Sequence, residues 1–179
     1  MPQVLALDLA SHTGWAVGEP GQTPTHGSVQ FAKPGASHEA IFSNAWGWMY
    51  SMLADFGPST VVWEAPMPTS FSRGRSNVNT TTLLYGLPAI IGGCAYRCGL
   101  YDLRKADTRD VRMHFIGCNP KRERAKPLVM RQCRALGWEV EDDNEADALA
   151  TWHYQCSLIR PQLALVTTPL FAETRRVGG

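Results

Sequence analysis

Apolar residues recur along this chain in two rhythms, one suited to strands and one to helices. Val4-Leu5-Ala6-Leu7-Asp8-Leu9 is a nearly unbroken apolar run interrupted only by a carboxylate, which predicts a strand buried on both faces. Thr13-Gly14 supplies turn chemistry and Trp15-Ala16-Val17 opens a second apolar run, so the pair predicts a hairpin with a short connection. Gly18 to Thr23 is turn-rich. Thr25 to Phe31 then predicts a third strand, with His26 and Ser28 alternating with Val29 and Phe31. From Ser37 to Leu53 the apolar residues Ile41, Phe42, Ala45, Trp48, Met49, Met52 and Leu53 return every three or four positions. That spacing predicts an amphipathic helix, which Gly57-Pro58 stops.

Thr60-Val61-Val62-Trp63-Glu64 repeats the design of the first strand, an apolar run closing on an acid. Residues 65–77 have no periodicity and predict a long loop carrying Phe71, Arg73 and Arg75. Asn79 to Cys98 predicts an apolar helix rich in small residues, with a kink expected near Leu87-Pro88. Such a helix suits close packing, within its own core or against a second copy of the chain. Leu100 to Arg104 predicts a short strand and Thr108 to Phe115 a short helix. Lys121 to Leu136 predicts a basic amphipathic helix, and Trp138 to Val140 a brief extended piece. Asp142-Asp143-Asn144 caps a last helix, Glu145 to Leu158, whose inner face is marked by Ala146, Leu149, Ala150 and His153. Asp147 lies in its first turn on the side of Ala150, and Asn144 and Asp143 share that face. The predicted fold class is therefore α/β: a mixed five-stranded sheet with helices on both faces, spanning residues 1–158. A tail from 159 to 179 is expected to be poorly packed.

Composition narrows the function classes. At 179 residues, 44% hydrophobic and 18% charged, the chain has the length of one domain and the make-up of a folded, non-fibrous protein. No apolar stretch reaches membrane-spanning length, and the N-terminal run lacks the basic flank of a signal peptide. Five cysteines without a CxxC pair predict reduced thiols in a cytoplasmic setting, and Cys94 and Cys98 lack a second ligand pair for zinc.

The net charge of +1 conceals a strong asymmetry. Residues 1–72 hold a single base, Lys33, whereas residues 104–134 hold ten, Lys105, Lys121 and Arg124 among them; residues 135–147 then hold six acids and no base. A basic block beside an acidic cluster suits a protein that grips a polyanion and presents a metal to it. Charge alone equally fits a solvated helix face.

Asp8, Glu64 and Asp147 come from two buried strands and a late helix. Each alone has an ordinary explanation as a turn cap, a strand-end acid or an N-terminal helix acid. Brought within about 4 Å, each pair would repel by roughly 4 kcal/mol at an effective dielectric near 20, so convergence requires divalent cations. Oxygen ligands with no accompanying Cys/His set point to Mg²⁺, with Mn²⁺ as the alternative. Two such ions can activate water and stabilise the leaving oxygen of a phosphodiester.

Three stretches carry a resemblance. Asp8 with Thr13-Gly14-Trp15-Ala16, the strand closing on Glu64-Ala65-Pro66, and Asn144-Glu145-Ala146-Asp147-Ala148-Leu149-Ala150 resemble RuvC-type Holliday junction resolvases, closest to their phage and phage-like branch. Phe115-Ile116-Gly117 with Lys121, and Ala135-Leu136-Gly137, fit the same pattern. The resemblance covers residues 3–158 and is most specific in the Glu-Ala-Asp-Ala-Leu-Ala segment. It implies an RNase H-like fold and a Mg²⁺-dependent homodimer that nicks opposed strands of a four-way DNA junction in a bacterial or phage-infected cytoplasm. It makes Asp8, Glu64 and Asp147 the metal-binding carboxylates. A fourth acidic or histidine position falls on Asn144, a departure; Asn144 as a neutral outer ligand, or Asp143 beside it, would complete the site. The resemblance also implies Phe71 as an aromatic wedge, with Arg73, Arg75, Lys105, Lys121 and Arg124 contacting DNA.

Two other readings follow from the same residues: a nucleic-acid-binding module whose site is impaired at Asn144, and a nuclease for other branched DNA or RNA–DNA hybrids. An actin-like ATPase also begins with a strand aspartate and a glycine turn, but it needs a duplicated domain and a Gly-rich phosphate loop that this sequence does not contain.

Overall fold

The computed structural model describes residues 2–65 and 78–162; Phe71, Arg73, Arg75 and the tail from 163 onward lie outside them. The elements run β1 (Val4–Asp8), β2 (His12–Gly18), β3 (Thr25–Gln30), α1 (His38–Phe56), β4 (Thr60–Glu64), α2 (Val78–Arg97), β5 (Leu103–Ala106), α3 (Thr108–Ile116), α4 (Arg122–Ala135) and α5 (Asp143–Ile159). The strands form one mixed sheet in the order β3-β2-β1-β4-β5. β1 to β3 are an antiparallel meander, and β4 and β5 add in parallel beyond β1. β1 is thus central, and Val4 to Leu7 are fully buried, which accounts for its unbroken apolar run.

Alternation along the strands divides the interior in two. Leu5, Leu7, Val17, Val61 and Trp63 face one layer, where they pack with Ile41, Ala45 and Met49 of α1 and Leu87, Ile91 and Cys94 of α2. Val4, Ala6, Ala16, Val62 and Ala106 face the other, against Val111 and Phe115 of α3, Val129 and Cys133 of α4, and Ala146, Leu149 and Trp152 of α5. Ser37 caps α1, and Gly57 closes it in a left-handed conformation at φ 56°.

Some boundaries differ from those the sequence suggests. α2 is one helix with Pro88 inside it. β5 starts at Leu103, because β4 offers partners only from Val61↔Leu103 to Glu64↔Ala106. Trp138 and Val140 belong to no strand; they bury their side chains beside Phe115 and Cys133 and pin the α4–α5 connection to the core.

α5 is docked along β2. Trp152 Nε1 donates to the Gly18 carbonyl at 3.4 Å, and Arg160 Nη1 donates to that of Pro20 at 3.2 Å. At the other end the approach is closer: a Cβ on Gly14 would overlap the carbonyl of Asn144 and stand 2.6 Å from the amide nitrogen of Glu145. These are backbone atoms, so a side chain at position 14 can fit only if the helix moves.

Between α3 and α5 lies a partly buried histidine pair. His114 Nε2 and His153 Nδ1 share a hydrogen bond of 2.7 Å, with Phe115, Trp138 and Tyr154 packed around the rings. Burial holds both imidazoles below their usual range, His153 down to about 4, its second cause being the charge of His114.

Two predictions follow from this packing. Gly14→Ala should lower the unfolding free energy by about 1–3 kcal/mol in denaturant titrations, whereas Gly47→Ala, on open surface in α1, should be neutral or stabilising. For the histidines, the unfolded chain takes up protons near pH 6.5, whereas in the folded chain His153 resists until about 4 and His114 is also held below its usual range. Stability should therefore fall as pH drops through that window, at up to about 1.4 kcal/mol per pH unit per histidine. His153→Leu should flatten this acid limb in melting curves recorded from pH 7 to 4; an unchanged limb would remove the pair as its cause.

Candidate metal and nucleic-acid site

Two neighbouring strands each end on an acid. β1 and β4 run parallel in the register Leu7↔Trp63, so Asp8 and Glu64 occupy the next equivalent positions side by side. Both follow the parity of Ala6 and Val62 and so face the α3–α5 layer. On its other side Asp8 pairs with Gly14, the residue against which the Asn144 backbone rests. Asp147 stands three residues further along α5, one turn on the same side. Register, the bare glycine and helical periodicity thereby bring the three acids to one end of the sheet.

Their electrostatics record this convergence. The Asp8 carboxyl is pushed up to about 8, first by burial and then by the charges of Asp147 and Glu64. Asp147 is pushed up to about 6 by burial and by Glu64. Glu64 is raised by burial, opposed by the hydrogen bond that Thr108 Oγ1 donates to its Oε2 at 2.9 Å. Opposite charges come from two helices. Arg112 of α3 acts on Glu64 and Asp147, Arg122 of α4 on all three acids, and Lys126 of α4 on Asp8 and Asp147. Arg122 and Lys126 are four residues apart and share a helix side.

The N-terminus of α5, which carries Asn144 and Asp147, is anchored by polar contacts. Asp142 caps the helix by accepting from the Glu145 amide at 2.8 Å and lies 3.5 Å from His12 Nε2. Buried Glu145 accepts from His26 Nδ1 at 2.6 Å and, through its other oxygen, from the Glu141 amide at 2.7 Å. Asp143 is ion-paired with Lys126. The sequence singled out neither Glu145 nor His26, because a helix glutamate and a strand histidine look like surface residues until the β3–α5 contact is known. Arg112, Arg122 and Lys126 were passed over because ten bases in one block do not announce which of them lie near the acids, and Thr108 because nothing local ties it to Glu64.

The remaining nominated residues are dispersed. Lys105 pairs with Trp63 across β4 and β5, hence on the face opposite Glu64. There it is exposed and lines a cavity of about 520 Å³ with Trp63, Tyr85 and Pro88. Lys121, at the N-cap of α4, and Arg124 are exposed on the helix that also carries Arg122 and Lys126. Asn144 is partly buried.

As a donor set, three carboxylates with no Cys or His among them fit a hard divalent cation. They share one field without yet enclosing an ion: among the described residues, no three His, Cys, Asp or Glu side chains stand as a ready ligand cage. No helix among those residues is long and apolar enough to cross a membrane.

No protein-family model matches the sequence, and no curated protein sequence does. Solved structures do match the fold. RuvC of Thermus thermophilus in complex with a Holliday junction substrate superposes with a TM-score of 0.69 at 16% identity, covering 91% of this chain and 98% of that one. A second Thermus thermophilus RuvC structure gives 0.64 at 18% identity, covering 90% and 97%. The yeast mitochondrial Holliday junction resolvase gives 0.54 at 13% identity, covering 90% and 83%. With its sheet order and the five helices among the described residues, the chain has the RNase H-like fold, in the form seen in RuvC.

Proposed function

We propose that this protein is a metal-dependent endonuclease that resolves four-way DNA junctions, a resolvase of the phage type working in a bacterial or phage-infected cytoplasm. The observation that carries the reading is the meeting of Asp8, Glu64 and Asp147 at one end of the sheet, each raised by burial, Asp8 also by the charges of Asp147 and Glu64, and Asp147 by that of Glu64. Buried carboxylates that repel are costly to a fold, and a bound cation gives them a use. The match of 91% of this chain to a RuvC structure solved on a Holliday junction supports the choice of substrate.

In this reading residues 1–158 are the nuclease domain, and Asp8, Glu64 and Asp147 hold Mg²⁺ or Mn²⁺. When bound, the ion supplies a Lewis acid and lowers the pKa of a coordinated water. The protein's own groups do the rest. Thr108 fixes the rotamer of Glu64, the Glu145–His26 pair fixes the helix that carries Asp147, and Arg112 and Arg122 set positive charge where a phosphodiester enters. Lys105, Lys121 and Arg124, with Phe71, Arg73 and Arg75 of the 65–77 segment, contact the DNA arms. The protein works as a homodimer, since paired nicks need two sites. Exposed Trp46 and Tyr50 of α1 and Tyr85 and Tyr96 of α2 support a protein contact on that helix pair.

A second reading, a binding module of the same fold, is favoured by the neutral Asn144 and by the open ligand geometry. The two separate in one assay. With a synthetic four-way junction and Mg²⁺, the wild-type chain should place symmetric nicks, and Asp8→Asn should abolish them while still binding the junction; binding without nicking in either Mg²⁺ or Mn²⁺ would establish the module instead. Charge reversal at Lys121 and Arg124 should weaken junction binding and reduce the slope of log affinity against log salt by about 1–2. An unchanged slope would remove that surface from the interface.

A further inference from the structure

We propose that each site takes a single divalent ion, and that the Lys126 ammonium stands where a second ion would otherwise supply positive charge. The inference rests on the metal-dependent reading above and refines it. Lys126 reaches from α4 to α5, where it is ion-paired with the partly buried carboxylate of Asp143. Asp143 immediately precedes Asn144 and lies one turn from Asp147, so the ammonium sits on the α5 side of the carboxylates. Its charge acts on Asp8 and Asp147, beside that of Arg122, which acts on all three acids.

Two features of α5 oppose a second ion. Asn144 brings no negative charge, and its backbone is held against Gly14. Asp143, the nearest alternative ligand, is already engaged by Lys126. Removing the lysine withdraws its positive charge from beside the carboxylates and frees Asp143 as a ligand.

The test is Mn²⁺ titration of the metal-stripped full chain, followed by electron paramagnetic resonance of frozen samples with and without four-way junction DNA. The wild type should bind one Mn²⁺ per chain and give an uncoupled spectrum in both states. Lys126→Met should admit a second ion and give a spin-coupled pair, whereas Lys126→Arg, which keeps the charge, should stay at one. A spin-coupled pair in the wild type, or a single ion in a folded Lys126→Met variant, would overturn the inference. The wild-type spectrum decides alone if the Met variant does not fold. Two ions with Mg²⁺-dependent nicking retained would leave the nuclease reading standing. No bound Mn²⁺ and no nicking would end both.

Discussion

Because Gly14 carries no side chain, the first turn of α5 can rest its backbone on β2, and the arrangement of the site follows from that contact. β2 pairs Gly14 with Asp8, so whatever lies on the glycine lies beside the acid. Helical periodicity then places Asp147 one turn on, facing the same end of the sheet. A side chain at position 14 would lift the helix and separate Asp147 from the two strand acids. The contact is local, but a whole helix is its lever, held further along by Trp152 on Gly18 and Arg160 on Pro20.

Forcing three carboxylates together works against the fold, and the surroundings show how the cost is limited. Asp8 and Glu64 sit at strand ends and Asp147 near the start of a helix, and all three remain partly exposed instead of fully interior. Thr108 donates to Glu64, and cations approach from α3 and α4 rather than from the sheet. Those helices are otherwise anchored by apolar residues, Val111 and Phe115 on one and Val129 and Cys133 on the other. The basic block therefore has two populations: bases whose charge reaches the acids, the exposed Arg122 among them, and bases such as Lys121 and Arg124 left in solvent. Membership is set by the helix phase that the apolar residues impose.

Much of the fold was legible because burial writes itself into apolar periodicity. Central β1 and β4 read as continuous apolar runs, and α1 as a three-and-four pattern. Asp8 and Glu64 stood out for being acids where such runs end. Less legible was whatever depends on contacts distant in sequence. β5 is short and half exposed, so its limits are set by β4 and not by its own composition. The Glu145–His26 bond joins residues 119 apart in sequence, and nothing local marks them as partners. The histidine pair between α3 and α5 was hidden likewise: His153 was recognised as inward-facing, but its partner was not.

The site also depends on the strand register. Trp63 and Glu64 are adjacent, so alternation sends the indole beneath α2 and the carboxylate toward α5. A slip of one residue in β4 would exchange them, burying an acid among Leu87, Ile91 and Met49 and presenting an indole to the cations. Apolar burial alone is a weak guard here, because Val61 and Val62 would suit either face. Polar contacts at the start of the strand provide the discrimination. The Ser59 amide donates to the Gln3 carbonyl at 2.9 Å, and the Thr60 hydroxyl donates to Asp102 at 2.7 Å, with Asp102 itself held by Arg104 at 2.8 Å. These bonds lie at the end of β4 opposite Glu64, some 13 Å away at about 3.3 Å per residue. Hydrogen bonds at one end of the strand thus help to set the position of a candidate ligand at the other, through the three buried residues Val61, Val62 and Trp63.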